Sequence, residues 1–304
     1  MILPRVALLI VFGAAPLATA LAAEPNICRE LENKYDLTKP QITSIEVNQA
    51  LNVAADTGCE TLARRLLDDG ASLEARDRLG AMALTHAARG GRTALVEFFL
   101  AKGAAIDARN LAGSTALYAA TENERAGVVD LLLRKGANPN LAGRSGLTPL
   151  AAAAFKGNGR IVDQLLARNA DPKVMDTTGK SAIVYAAARG FADIVQRLLD
   201  AGIAVDARYG NDTTALMWAA GHDEGVGVRA AGDVIALLLD RGTPIDALDN
   251  RGRTALMMAA EMGDTGVVDV LLARGADRTI RDRQGETALD LAADQPTRAR
   301  LTAK

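Results

Sequence analysis

The sequence predicts an all-α repeat solenoid, in which short helix-turn-helix units stack on one another. One segment recurs: "GAMALTHAARGG", "GSTALYAATENE", "GLTPLAAAAFKG" and "GKSAIVYAAARG" start 33 residues apart, and "GRTALMMAAEMG" and "GETALDLAADQP" repeat that spacing. A second marker agrees, because Gly70, Gly103, Gly136, Asn169, Gly202, Gly242 and Gly275 step by 33 with one exception of 40. Self-similarity at a fixed period of about 20–50 residues is typical of stacked repeat arrays.

Each unit contains two short helical patterns. In the first, Leu117 and Ala120 share a helix face, and in the second Val128, Leu131 and Leu132 do so. The second helix ends at a residue suited to the left-handed conformation, which is glycine in most units and asparagine at position 169. The unit therefore reads as first helix, turn, second helix and loop.

The repeated unit resembles the ankyrin repeat, whose signature is T-P-L-H-x-A at a period of 33 residues. Thr148-Pro149-Leu150 matches this signature best, and Ala replaces the proline elsewhere. The signature histidine is absent from all units, and His86 stands one residue late, which predicts a weaker polar tie between first helix and loop. The resemblance implies β-hairpin loops between the units, and it implies a concave groove, lined by loop tips and first helices, that binds partners.

The period places the array at residues 44–304. We expect a degenerate first repeat (44–76), full repeats (77–109, 110–142, 143–175, 176–208, 209–248 and 249–281) and a C-terminal cap (282–304) whose last residues form a short basic helix. The 209–248 repeat carries seven extra residues, about 223–229, between its helices. This insertion is interpreted as a tolerated loop, with contact to a partner as the alternative. Residues 24–43 are expected to form a capping helix or a partly ordered lead-in.

The N-terminal 23 residues predict a secretory signal peptide. A single positive charge precedes the apolar run "VALLIVFGAAPL", and small residues follow up to a cleavage site between Ala22 and Glu24. The mature chain is then expected in the periplasm, or secreted, without membrane insertion. Its two cysteines, Cys28 and Cys59, are expected to form a disulfide there, with two unpaired thiols as the alternative.

Composition and motifs argue against catalysis and nucleic-acid binding. The formal net charge is -2, whereas nucleic-acid binders usually carry a basic excess. "TTGKSA" lacks the first glycine of a phosphate-binding loop, and "GVGVRAAG" lacks the spacing of a dinucleotide fingerprint. Only two histidines are present, and His86 is interpreted as a solvated or inter-repeat residue. We therefore predict no enzyme activity, no cofactor and no metal.

Charged residues mark the predicted loop tips. These are Arg76, Asp77, Arg78, Arg109, Arg144, Lys180, Arg208, Arg251, Arg253, Arg281, Asp282 and Arg283. The plainer interpretation is a solvated, salt-bridged edge, and the alternative is a series of donors for an acidic or polar protein. Acidic residues at the ends of the second helices, such as Asp200 and Asp240, suggest that charge is segregated by face.

Large side chains cluster in two neighbouring repeats. They are Met217, Trp218, His222, Met258 and Met262, with Tyr185 and Arg251 nearby. If the first helix persists to His222, Trp218 and His222 share a face opposite Met258 and Met262. Three interpretations stay open: packing between repeats, a binding hot spot, and a soft-metal site for Cu(I). The main prediction is a monomeric, exported protein that binds a protein partner at these residues. The alternatives are a metal- or redox-linked periplasmic stress protein and a secreted effector that binds a host protein.

Overall fold

The computed structural model describes residues 17–223 and 225–303, with side chains from residue 27. In this part of the chain a long helix, α1 (Leu17–Thr38), precedes eight helix pairs. The pairs are α2 (Ser44–Thr57) with α3 (Glu60–Asp68), α4 (Ala83–Gly90) with α5 (Thr93–Ala101), α6 (Ala116–Glu122) with α7 (Ala126–Arg134), α8 (Pro149–Lys156) with α9 (Gly159–Leu166), α10 (Ala182–Ala188) with α11 (Ala192–Asp200), α12 (Ala215–Ala220) with α13 (Val228–Asp240), α14 (Ala255–Met262) with α15 (Thr265–Ala273), and α16 (Ala288–Leu291) with α17 (Gln295–Thr302). This is the predicted all-α solenoid.

The core consists of columns of equivalent side chains. One column runs through the first helices, which pack on one another, and another runs through the second helices. The columns are Leu51, Leu84, Leu117, Leu150, Ile183, Leu216 and Leu256, and Leu66, Phe99, Leu132, Leu165, Leu198, Leu238 and Leu271, all buried. Each buried aliphatic side chain of this size contributes about 1.5–3 kcal/mol. Because every unit repeats the columns, the core extends continuously along the stack.

The helix ends follow local sequence. Threonine caps most first helices: Thr115, Thr148, Thr214, Thr254 and Thr287 each accept a hydrogen bond from a backbone N–H of the first turn. The second helices end in the left-handed conformation, and Asn169 adopts it with φ of 62°. The prediction made for Asn169 from the sequence is therefore confirmed.

The loops between units are tight turns. In five of them an Asp or Asn side chain accepts the backbone N–H groups two and four residues on, as Asp77 does from Leu79 and Ala81 at 2.8 and 2.9 Å. No β-strand forms among the described residues, where the predicted hairpins are reduced to one antiparallel bridge, Tyr209–Thr213. Each turn is too short to form paired β-strands. Successive turns are instead joined by single backbone hydrogen bonds, such as the one from the Leu111 N–H to the Leu79 carbonyl at 2.9 Å.

The two ends of the array are covered by helices. At the C-terminus α17 is the predicted short final helix, with Pro296 in its first turn. At the N-terminus α1 packs on α2 and α3, and the predicted disulfide joins Cys28 of α1 to Cys59. Tyr35 is buried there, and its hydroxyl donates to Asp69 at 2.7 Å. The lead-in is therefore a capping helix.

The predicted signal peptide falls largely outside the described residues, which begin at residue 17. Helix α1 includes the remainder of this segment and passes through the predicted cleavage site. Within the described part of the chain, no helix combines the length and the apolar character needed to cross a bilayer.

The seven inserted residues divide between a loop and a helix. Helix α11 has 9 residues and α13 has 13, because α13 begins four residues before the point equivalent to the start of α11. The remaining insertion lies in the connection from Gly221 to Gly227. The insertion therefore lengthens the connection between the two helices and also extends α13 by one turn, in which Ala231 is fully buried.

Candidate functional site

One position of the first helices, here called the ladder position, links three of these helices to the preceding turn by a side-chain hydrogen bond. Its occupants are His86, Ala119, Ala152, Tyr185, Trp218, Met258 and Leu291. His86 Nε2 lies 3.0 Å from an Asp77 carboxylate oxygen, and the Tyr185 hydroxyl donates to Asp176. The polar tie that the missing signature histidine would supply is thus made from the next residue. Of the two interpretations of His86, the inter-repeat one is confirmed and the solvated one is wrong, because its side chain is 10% exposed and lies 3.4 Å from Asp56 of the preceding unit.

Tyr185 and Asp176 perturb each other through this bond. Burial raises the pKa of Tyr185, and its hydrogen bond to the Asp176 carboxylate raises the pKa further. Burial alone would raise the pKa of Asp176, but hydrogen bonds from Tyr185, Thr178 and Lys180 outweigh it and hold the pKa below its ordinary value. Tyr185 is therefore a neutral donor that is held in place.

A groove of about 550 Å³ opens between the repeats that carry α12 and α14. Its lining combines apolar side chains of the two first helices with polar groups of the two turns. The lining residues are Asn211, Thr213, Met217, Trp218, Gly221, Asp249, Asn250, Arg251, Arg253, Met258, Glu261 and Met262. Pockets of this size, apolar with a few convergent polar groups, are typical of binding sites.

Trp218 is held in a defined orientation in this groove. Its indole Nε1 donates to Thr213 Oγ1 at 2.8 Å, and the Lys180 ammonium lies 4.4 Å from the centre of its ring system. The same ammonium lies 5.9 Å from the Tyr185 ring, which packs edge-on against Phe155 at 5.9 Å. A row of aromatic side chains therefore leads across two repeats to the groove, and it is interleaved with a cation.

The predicted methionines take different places. Met258 is partly buried in the groove wall, and Met262 is 47% exposed at its edge. Met217 is 1% exposed, so it supports the groove from within the core and presents almost no surface. Trp218, Met258 and Met262 thus form three of the four members of the predicted box.

His222 is the fourth predicted member, and the structure places it elsewhere. Helix α12 ends at Ala220, so the prediction that Trp218 and His222 share a helix face is wrong. The His222 ring instead bonds the Asp223 carbonyl through Nδ1 at 3.1 Å and Asp264 through Nε2 at 2.9 Å. Both ring nitrogens are engaged, so the imidazole has no free nitrogen to join the methionine thioethers in a copper site.

Arg251 and Arg253 bring positive charge to one end of the groove. Arg251 is exposed, whereas the Arg253 side chain is 6% exposed and pairs with Glu261, whose side chain is 56% exposed. Sequence reasoning placed Arg253 among the loop tips and overlooked Glu261. Alignment of the repeats distinguishes both residues. Arg253 and Lys180 occupy the equivalent position of their units, and Glu261 replaces the alanine that stands at position 188.

Most other tip arginines serve the scaffold. Arg76 Nη1 donates to the carbonyls of Gly80 and Arg109 at 2.8 and 2.7 Å, and Arg208 Nη1 donates to those of Asp212 and Leu248 at the same distances. Arg109 makes equivalent bonds to its own and the following turn. These guanidinium groups bridge neighbouring turns, so the tips are not a series of free donors.

A second groove, of about 650 Å³, lies between α1 and α2. It is larger, but the residues predicted to bind a partner lie outside it, and its lining is dominated by aliphatic groups and polar residues of the cap. We favour the groove beside Trp218, because it combines an oriented aromatic ring with buried charge.

The comparisons with known proteins agree with the architecture. Two family models match the chain. The first, described as "Ankyrin repeats (3 copies)", matches residues 51–143, 84–176 and 150–230. The second, described as "Ankyrin repeats (many copies)", matches residues 238–292. No curated protein matches the chain.

Proposed function

The chain belongs to the ankyrin-repeat family, and from this premise we propose that it is an exported, monomeric, non-catalytic module that binds a protein partner through the groove beside Trp218. Arrays of this kind present extended surfaces because each unit contacts only its neighbours. The family does not identify a partner, so the location of the surface rests on the groove itself.

The observation that carries the proposal is the oriented Trp218 beside Met258 and Met262. Tryptophan and methionine are enriched at protein interfaces, and hot spots centre on large side chains in well-packed pockets. The hydrogen bond from Trp218 to Thr213 holds the ring before binding, which reduces the entropy lost on association. Export is proposed from the N-terminal sequence alone.

Capture of a partner tests the proposal. The chain carrying a C-terminal tag is expressed in its native host. The cells are then cross-linked, and the tagged chain is recovered from the periplasmic fraction and from the medium. We expect one dominant cross-linked partner in the periplasmic fraction. Loss of a Trp hot spot costs about 2 kcal/mol or more, so Trp218→Ala with Met258→Ala should reduce capture at least about 30-fold.

The matched control is Leu37→Ala, which truncates a side chain that is 83% exposed and lies in the other groove. This variant should capture the partner as the unmodified chain does. Full capture by the Trp218→Ala/Met258→Ala chain, with an unchanged helical circular dichroism signal, would contradict the proposal. Accumulation in the medium with capture of a host protein would favour the effector function instead.

A further inference from the structure

The groove beside Trp218 has an unequal charge distribution. Among the described side chains that line it or cover Trp218, three are cationic (Lys180, Arg251 and Arg253) and two are acidic (Asp249 and Glu261). Asp249 is 7% exposed, and its Oδ1 accepts the backbone N–H groups of Arg251 and Arg253 at 2.8 Å each. Asp249 thus serves the turn, and Glu261 is the one exposed carboxylate among the described residues that line the groove.

Arg253 is unusual because it is a nearly buried cation with incomplete pairing. Its Nη2 donates to Glu261, but its Nε has no hydrogen-bond partner among the described residues. A buried guanidinium is costly unless it is paired and fully hydrogen bonded. The partner Glu261 is more than half exposed, so this carboxylate can swing into solvent without opening the core.

The cations are placed next to apolar surface in a repeating manner. Lys180 and Arg253 occupy the equivalent position of units separated by one repeat, and each lies beside a ladder-position side chain, Tyr185 or Met258. Trp218 stands between them. An extended chain that crosses α10, α12 and α14 would meet an apolar side chain in each of these three repeats, with Lys180 beside the first two and Arg253 beside the third.

From this arrangement we propose that the groove selects an extended acidic segment of its protein partner. An apolar side chain of that segment packs on Trp218 and Met258, and an adjacent carboxylate displaces Glu261 from Arg253 and is held by Arg251. Charge-assisted hydrogen bonds of arginine to carboxylate are about twice as strong as neutral ones and fix orientation. This inference rests on the proposed function and adds the chemistry of the partner.

Selection from random peptides tests the charge preference. Displayed peptides of about ten residues, which reach roughly 33 Å when extended, are selected on the unmodified chain and counter-selected on Trp218→Ala. We expect the recovered peptides to be enriched in Asp or Glu next to a large apolar residue. The best peptide and its Glu→Gln or Asp→Asn analogue are then titrated while the fluorescence of Trp218, the single tryptophan, is recorded.

Three substitutions should change the affinity for the acidic peptide in opposite directions. Arg251→Met and Arg253→Met should each weaken it at least about tenfold, the range measured for buried or bidentate charge pairs. Glu261→Gln should strengthen it a few-fold, because it removes the competing carboxylate. Arg229→Met, which removes an exposed arginine on α13, is the matched control and should leave the affinity unchanged.

The outcomes separate the two proposals. Two results would overturn the acidic preference and leave the groove as the binding surface. In the first, peptides that depend on Trp218 bind equally well as their amide analogues. In the second, their affinity is unchanged by the substitutions of Arg251 and Glu261. Failure to recover any peptide that prefers the unmodified chain over Trp218→Ala would contradict the groove itself. Because Arg251 is exposed, Arg251→Met remains informative if Arg253→Met does not fold.

Discussion

His222, at the start of the inserted segment, makes two hydrogen bonds that require a protonated ring. Both its neighbours, the Asp223 carbonyl and the Asp264 carboxylate, are acceptors. Burial alone lowers the pKa of His222, but the bonds to Asp264 and Asp223 outweigh it and raise the pKa above its ordinary value. For Asp264, burial acts to raise the pKa, and the bonds from His222 and the backbone outweigh it and lower the pKa. His222 therefore connects adjacent repeats, and its two acceptors favour the protonated form of the ring.

The stability contributed by this pair should depend on pH. Because the folded pKa of His222 is raised, its contribution is complete below the unfolded value of about 6.5 and is lost as pH rises through the folded pKa. Asp264, with a lowered pKa, contributes above about 3.8 and loses its contribution only in more acidic solution. His222→Gln should therefore cost about 1–2 kcal/mol near pH 5.5 and clearly less near pH 8.5.

Urea denaturation of both chains at the two pH values checks this expectation. Asp264→Asn should produce the same dependence, and combining both substitutions should add little further loss, since each removes the same pair. A cost of His222→Gln that stays constant between the two pH values would show that protonation of the ring does not matter.

The inserted segment illustrates the constraints on a single element. In six other units a residue with positive φ forms the tight turn between the two helices, such as Gly157 and Gly190 at 78° and 73°, or Glu124 at 58°. The insertion replaces this turn with a connection that contacts both sides: Asp223 N–H donates to the Ala188 carbonyl at 2.9 Å, and His222 contacts Asp264. Of the described residues in this connection, only Gly221 lines the groove.

Deletion of residues 223–229 should restore the period but create a strained turn. The residue that then takes the place of Gly190 is Ala230, and a non-glycine residue in the left-handed region costs about 1–2 kcal/mol. We expect the deletion to fold, and the deletion with Ala230→Gly to be more stable by about 1 kcal/mol. Thermal unfolding followed by circular dichroism measures the difference.

The same two chains test the role of the segment. Because none of the described residues of the deleted segment lines the groove, partner capture should be unchanged in both, and its loss would favour the alternative in which this loop contacts the partner. Equal stability of the two deletion chains would contradict the assigned turn geometry.

Across the whole molecule the covalent cross-link and the candidate groove are far apart in the array. The disulfide closes a loop with a sequence separation of 31 and holds α1 on the first pair of helices, whereas Trp218 lies five units later. A loop of this length corresponds to about 3–4 kcal/mol of loop-closure free energy. In a stacked array, each unit interacts only with the units next to it.

Removal of the disulfide should therefore loosen one end of the array. For Cys28→Ala with Cys59→Ala we expect faster amide exchange in α1 and α2, and unchanged exchange in α12 and α14, as measured by hydrogen–deuterium exchange. Partner capture should persist. Faster exchange throughout the stack would show that the array unfolds as one cooperative unit.

Much of the fold followed from the sequence alone because its signals are local. The apolar faces of the paired helices, the left-handed Asn169 and the short final helix depend on residues within one unit and on a period that any pair of units displays. The pairing of Cys28 with Cys59 was also predicted, from export and cysteine number.

The tertiary structure decided what lies between units. The burial of Met217, the pairing of His222 with Asp264, and the use of Arg76 and Arg208 by neighbouring turns depend on how units 33 to 42 residues apart are set against each other. A period specifies that the units stack but does not specify which rotamers meet at each interface. The repeat fold was therefore determined by the sequence itself, and the candidate site only by the contacts between repeats.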